Sequence, residues 1–358
     1  LSIAPKSPAE GHVFPDDVIT GANGKAFPKG EDARIHLGRA IVDSEAADGI
    51  LTLSINRRGK DMTVPVELTP IGGYSPTWPF KCQRTDKMVT DACRFLQEEQ
   101  LPNGYIPADE GKIGCSSGGL LLLGSGEPEY LENARRAAYW FADLLTDLES
   151  KGKQLGWGPW AGGYSGILLA EYYQMTGDKG ILPGLELIMQ QVARGQLPSG
   201  GWGHGFFSGY SAGYGEVNNC GITCYLALVL ARECGVPVDE EAFHKARRYF
   251  GAFAPTVGSQ YGDHDLVIQG YGAWNGKVGS HAVLHWVEGE EEYSRAYALK
   301  AARVANRIEH GHAGCFANVL WTPVAASLAP AREYRRAMDQ LDWYYALSRG
   351  PRGGFYCQ

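Results

Sequence analysis

The sequence predicts a mostly α-helical chain, with a small α+β module at the N-terminus followed by an array of helical hairpins. Two observations carry that prediction. Period-two strand signals are confined to the first 70 residues, whereas from Asp86 onward apolar residues recur at helical spacing through eleven segments. A loop built of Pro, a polar residue, Gly and an aromatic also returns three times, at Pro102-Asn103-Gly104-Tyr105, Pro198-Ser199-Gly200-Gly201-Trp202 and Pro351-Arg352-Gly353-Gly354-Phe355. Its glycines at 104, 200 and 353 are spaced close to two and three units of about 50 residues, and two helices per unit of that length make a helical-hairpin repeat.

The elements follow in order. Val18-Ile19-Thr20-Gly21-Ala22 reads as a strand ended by the tight turn Asn23-Gly24, and Asp32–Ser44 reads as a helix with Asp32 as its N-cap. Gly49–Ile55 and Met62–Leu68 alternate and face each other across Asn56–Lys60 as a hairpin. This first module spans residues 1–70, and a turn-rich linker through Gly72-Gly73-Tyr74-Ser75-Pro76 occupies 71–84. The helical region, 85–358, carries predicted helices at Asp86–Glu99, Ser116–Leu123, Glu129–Leu148, Gly163–Thr176, Leu182–Arg194, Glu216–Glu233, Glu240–Gly251, Val278–Glu288, Glu291–Glu309, Asn318–Leu328 and Ala331–Ser348. Charged helices such as Glu129–Leu148 alternate with apolar ones such as Gly221–Leu230, so in a closed ring the apolar set is the inner one. Six amphipathic and five apolar helices make about five and a half hairpins, and the natural protein is expected to continue past Gln358.

Composition narrows the function classes. With 358 residues, 44% hydrophobic and 20% charged, the chain is long and apolar enough for a large core. A net charge of −7, a pI near 5.8 and the lack of a Lys/Arg-rich run argue against nucleic acid or an anionic membrane as partner. The longest apolar stretch, near Gly221–Ala231, falls short of the ~20 residues that span a bilayer. The 8 cysteines include no CxxC pair and read mostly as buried free thiols. The start, Leu1-Ser2-Ile3-Ala4-Pro5, has neither a basic head nor an apolar run and lacks Met, as a processed or excised chain would.

Two resemblances bear on these modules. Ser7-Pro8-Ala9-Glu10 ahead of Asp17-Val18-Ile19, then turn, helix and hairpin, resembles the later part of a bacterial PDZ domain without its first strand and carboxylate-binding loop. Phe95-Leu96, Gln100 and Gly104, with Gln196-Leu197-Pro198-Ser199-Gly200-Gly201-Trp202, resemble the QW repeat of the α/α toroids of terpenoid cyclases and prenyltransferases, hairpins shared with six-hairpin glycosidases and polysaccharide lyases. There the Gln bonds to peptide groups at a helix end and the Trp caps the next hairpin. The whole layout, with its Tyr-Ser-x-x-x-Pro linker, is similar to a bacterial family that brings no activity to carry over.

In such toroids, function sits where loops lead into inner helices. Asp263-His264-Asp265-Leu266 lacks the last acid of a class II cyclase motif. The prenyltransferase resemblance implies zinc at Cys220 and His281, but Asn218 stands where that site has an Asp, so no metal and no cofactor are expected. His310, His312 and Cys315 read as an ordinary polar cluster. Glu216 is a general acid or an acid favoured by the helix dipole, with Asp263 or Asp265 as base or nucleophile and His281 orienting the substrate. Tyr164, Trp202, His204, Tyr210, Tyr214 and Asn218 are the candidate binding residues, and Trp157 and Trp160 can also stack on sugar rings. The leading expectation is an extracytoplasmic, secreted or periplasmic, glycan-active hydrolase or lyase. The alternatives are a non-catalytic binding or scaffold protein with a protein partner, and a zinc prenyltransferase-like enzyme.

Overall fold

The computed structural model describes residues 3, 5–108, 110–206, 215–262, 276–309 and 316–356. The chain divides into two compact units, residues 1–95 with 335–358, and residues 96–334.

In the first unit, β1 (Val18–Ala22), β2 (Lys25–Ala26), β3 (Ile50–Arg57) and β4 (Lys60–Glu67) form an antiparallel sheet in the order β2-β1-β3-β4. Asn23-Gly24 and Arg58-Gly59 each put two successive residues at positive φ, the geometry that lets a two-residue turn follow strand twist. Alternation then buries Leu51, Leu53 and Ile55 with Val64 and Val66. Helix α1 (Ala33–Ala46) starts at Asp32, whose side chain accepts from the Arg34 N–H at 3.0 Å.

The unit is joined at Glu45 of α1, a buried carboxylate that accepts from Arg84 at 2.6 Å and from Arg349. Arg84, in α2 (Gln83–Glu99), also donates to the Gly72 carbonyl at 2.9 Å and lies over the Tyr74 ring. The predicted helix Ala331–Ser348 is broken into α12 (Ala331–Asp339) and α13 (Asp342–Ser348) by a turn at Gln340-Leu341. The break buries Leu341, Trp343 and Tyr344, and brings the Trp343 backbone onto Gly38 of α1, where a Cβ would sit 2.4 Å from the Trp343 carbonyl.

The second unit holds α3 (Lys112–Gly124), α4 (Pro128–Ser150), α5 (Gly158–Thr176), α6 (Leu182–Arg194), α7 (Asn218–Glu233), α8 (Glu240–Gly251), α9 (Lys277–Val287), α10 (Glu291–Arg303) and α11 (Phe316–Ser327). Helix α10 ends six residues before its predicted limit of Glu309, giving way to a 3₁₀ turn at Ala305–Arg307. Helices α3, α5, α7, α9 and α11 pack side by side as an inner row, while α4, α6 and α10 pack on their partners from outside. Along the α5–α7 seam Gly163 meets Thr223 and Gly166 meets Ala227; along α9–α11 Gly276 meets Ala317 and Gly279 meets Trp321. Each register advances in the same direction, so these pairs run parallel with their N-terminal ends together. The glycines explain why α5 begins at Gly158 rather than at the predicted Gly163: they permit backbone contact instead of breaking the helix.

The repeated loop has one structure. Gly104, Gly200 and Gly353 have φ of +96°, +104° and +91°, and a Cβ on each would fall 2.2, 2.4 and 2.7 Å from the carbonyls of Arg136, Lys245 and Asp91. Gln100 Nε2 donates to Gly104 O and Asn133 O, both at 2.9 Å. Gln196 Nε2 donates likewise to Gly200 O at 3.0 Å and Ala242 O at 2.8 Å. Arg349 takes the Gln position in the third loop and binds Glu45 instead. Gly200→Ala is therefore expected to destabilise by roughly 2–4 kcal/mol, combining left-handed strain with overpacking. Gly235→Ala, at φ +76° with open space around it, is expected to cost only about 1–2 kcal/mol; chemical denaturation of the two variants measures the gap.

Candidate functional site

Three of the predicted site residues, Trp202, Glu216 and Asn218, lie at the start of α7. Two chain segments are hydrogen-bonded to it: Val217 N donates to Trp202 O at 2.7 Å, and Asn218 N donates to Tyr261 O at 2.8 Å. The Asn218 amide donates to Gln260 O at 3.0 Å and Gly262 O at 3.3 Å, and its oxygen accepts from the Tyr249 hydroxyl at 3.0 Å. Asn218 thus ties the loop ahead of α9 to α7, and its amide is committed within the chain.

Glu216 precedes this turn and is only 6% exposed. Its carboxylate accepts from the Ser199 hydroxyl, and among the described residues no Lys, Arg or His forms an ion pair with it. Gly201 and Gly262 close around it: a Cβ on either would collide with the Glu216 side chain or carbonyl. A carboxylate so enclosed with no cation on it among the described residues is unusual, because buried acids are ordinarily paired.

The other predicted residues divide. Tyr210, Tyr214, Asp263 and Asp265, with His310, His312 and Cys315, lie outside the described residues. Trp202 is fully buried, donates to Val192 O at 2.8 Å and stacks on Phe250. Tyr164, also buried, accepts from Trp321 Nε1 at 2.8 Å across the inner row. His204 Nδ1 accepts from Trp160 Nε1 at 3.1 Å, and burial pulls its pKa down. Near that pair, Trp157 caps α5 at φ +70° with 70% of its surface exposed, a strained position for a bulky residue.

The Cys220 thiol donates to the carbonyls of Val217 at 3.1 Å and Gly203 at 3.3 Å, and burial pushes its pKa well up, so it is held as a thiol. His281 is fully buried one turn into α9, stacked on Tyr297 at 4.7 Å with Phe250 and Phe253 edge-on. Phe250 also fills the space beside Gly221, next to Cys220 in α7. Among the described residues no three His, Cys, Asp or Glu side chains converge as metal ligands.

Sequence reading overlooked Ser199 and Tyr249, which reach the site through backbone folding, and Lys277 and His285, which carried a usable signal. Lys277, His281 and His285 are spaced i, i+4, i+8 on a helix whose intervening residues include Val278, Ala282 and Leu284, so all three lie on one stripe. His285 is buried, stacks with Tyr297, and stands 3.5 Å from a Glu288 oxygen without a hydrogen bond. Burial pulls its pKa down to about 4, with Glu290 opposing the shift weakly.

A base with a depressed folded pKa contributes stability that is complete above its unfolded value, about 6.5, and is lost as pH falls toward the folded one. Between about pH 6.5 and 4 the unfolded chain binds the extra proton, and His285 is expected to contribute a slope of roughly 1 kcal/mol per pH unit. Denaturation midpoints of His285→Phe against the parent across that window should show the slope flattened in the variant.

A family model described as Domain of unknown function (DUF6288) matches residues 85–358. No curated protein and no solved structure matches the chain. That match covers the second unit's helices, the start of α7 with Glu216 and Asn218, and the three repeat loops, and by it the chain belongs to the DUF6288 family.

Proposed function

We propose that this chain is an extracytoplasmic glycan-active protein, a hydrolase or lyase, in which a PDZ-like module precedes an α/α toroid of about five and a half helical hairpins. The ligand meets the N-terminal ends of the inner helices. The observation that carries this reading is Glu216, a buried carboxylate whose described partner is a serine hydroxyl rather than a cation. In this role Glu216 delivers a proton to the glycosidic oxygen. Asp263 or Asp265 supplies the opposing base or nucleophile. His281, walled by aromatic rings, acts as a positioning residue rather than touching substrate. Trp157, exposed at the head of α5, supports the reading as a face on which a sugar ring can stack.

A second reading, a non-catalytic binding or scaffold protein that engages a protein partner, is favoured by the Tyr164–Trp321 hydrogen bond, which fills space between α5 and α11. The zinc prenyltransferase-like reading needs Cys220 as a thiolate, and its thiol proton is engaged with two carbonyls. No described helix is long and apolar enough to cross a membrane.

A glycan array with a hydrolysis screen separates the first two readings. Glu216→Gln and Asp263→Asn should each lower the rate on whatever glycan the parent cleaves by ~10²–10⁴-fold, with the fold intact by circular dichroism. An activity that survives both substitutions removes the assignment; glycan binding without turnover, unchanged in Glu216→Gln, favours the binding protein. Elemental analysis is expected to find less than one zinc per chain, and a stoichiometric zinc lost in His281→Ala would favour the prenyltransferase-like reading.

A further inference from the structure

The start of α9 holds a buried amine that no described residue balances. Lys277, the first residue of the helix, is fully buried, and its Nζ has no hydrogen-bond or ion-pair partner among the described residues. Its Nζ lies over the Tyr261 ring, 5.7 Å from the centroid, and is close enough to His281 to disfavour a second positive charge there. Tyr261 is the residue whose carbonyl receives Asn218 N, so the ammonium lies at the joint between the starts of α7 and α9.

Three costs coincide there. An unpaired ammonium in the interior loses its hydration without recompense. A cation at a helix N-terminus is repelled by the helix dipole, which favours an anion at that end. The first turn of α9 also has no side-chain cap: Gly276 stands at the N-cap with φ +75°, and Lys277 through His281 are all buried. His281, a turn deeper on the same stripe, has both ring nitrogens unpartnered and supplies no negative charge. Burial pulls the Lys277 pKa down to about 7, as expected for an ammonium that lacks a counter-ion. All three costs reverse sign if a negative group sits at this spot.

We infer that Lys277 Nζ and the uncapped first turn of α9 form a seat for an oxyanion carried by the ligand, a carboxylate or a sulfate or phosphate ester. The glycan this chain takes is then an anionic one. That the ligand is a glycan rests on the function proposed above; the oxyanion seat rests on Lys277 and α9 alone. The amine fixes the charge of the group it accepts, and the helix N–H groups fix its direction of approach.

The test uses the full chain at constant ionic strength, with titration calorimetry and thermal shift against sodium glucuronate, sodium sulfate, inorganic phosphate and neutral methyl glucoside, and sodium chloride as reference. The parent is expected to bind at least one oxyanion probe tenfold or more tighter than methyl glucoside. Lys277→Met should lose at least tenfold of that oxyanion affinity and leave the methyl glucoside response unchanged. Preference for glucuronate assigns a carboxylate; preference for sulfate or phosphate assigns an ester.

Parent-like oxyanion affinity in Lys277→Met, or a parent that binds no oxyanion probe, overturns the inference. If Lys277→Met does not fold, reductive methylation of the parent decides, read by mass spectrometry at Lys277. The bound oxyanion should slow labelling at least tenfold, and equal labelling overturns the seat. Oxyanion binding with no glycan recognised on the array leaves the seat standing and removes the glycan reading. Recognition of neutral glycans alone does the reverse.

Discussion

The helical unit depends on how closely its repeat loops approach the backbone of an outer helix. Gly104 and Gly200 lie against the carbonyls of Arg136 in α4 and Lys245 in α8, so close that no side chain fits. In each case a glutamine four residues earlier bonds both to the loop and to the same outer helix. This pairing fixes where one hairpin ends relative to the next. The inner helices then meet at small residues, and their N-terminal ends are brought to a common level. Glu216, Asn218 and Lys277 sit at those ends and inherit their placement from glycines many residues away.

The polar groups there are arranged unevenly. Asn218 and Tyr249 are fully used in holding α7 to the loop before α9. Glu216 is held by one hydroxyl and Lys277 by none among the described residues. A folded interior ordinarily satisfies its charges, so this end of the unit sets fully committed groups beside sparsely partnered ones.

Much of the architecture was legible in the sequence because it rests on periodicity and on glycine. Leu182–Arg194 and Glu240–Gly251 match residue for residue, since an amphipathic pattern bounded by Asp239 or by Pro and Gly leaves little freedom. The repeat loops were legible because only glycine tolerates their φ. The start of α5 was not, because Gly158, Gly162 and Gly163 read as punctuation until the partner helix is seen against them. Nor was the break at Gln340-Leu341, which follows from burial of Leu341 and Trp343 in the first unit rather than from a local signal. At the site, Glu216 stood out by its position before an apolar helix, and its enclosure by Gly201, Gly262 and Ser199 is a matter of three-dimensional approach. The spacing of Cys220 and His281 is a one-dimensional likeness; the Phe250 ring packs edge-on to His281 and beside Gly221, the residue after Cys220.

The ion-pair centre of the first unit has a consequence for the order of assembly. Glu45 meets Arg84 after 39 residues but meets Arg349 only after 304, and residues 335–358 are part of the same unit as 1–95. During synthesis the sheet, α1 and Arg84 emerge before the helical unit. The second arginine and α13, which packs on α1, arrive after the whole helical unit has been made. The helical unit is in effect an insertion within the first one, and closing so long a loop is entropically tolerable because the cost grows only logarithmically with length. Until residues 335–358 return, the first unit lacks the helix that packs on α1, so its completion follows translation of the helical unit.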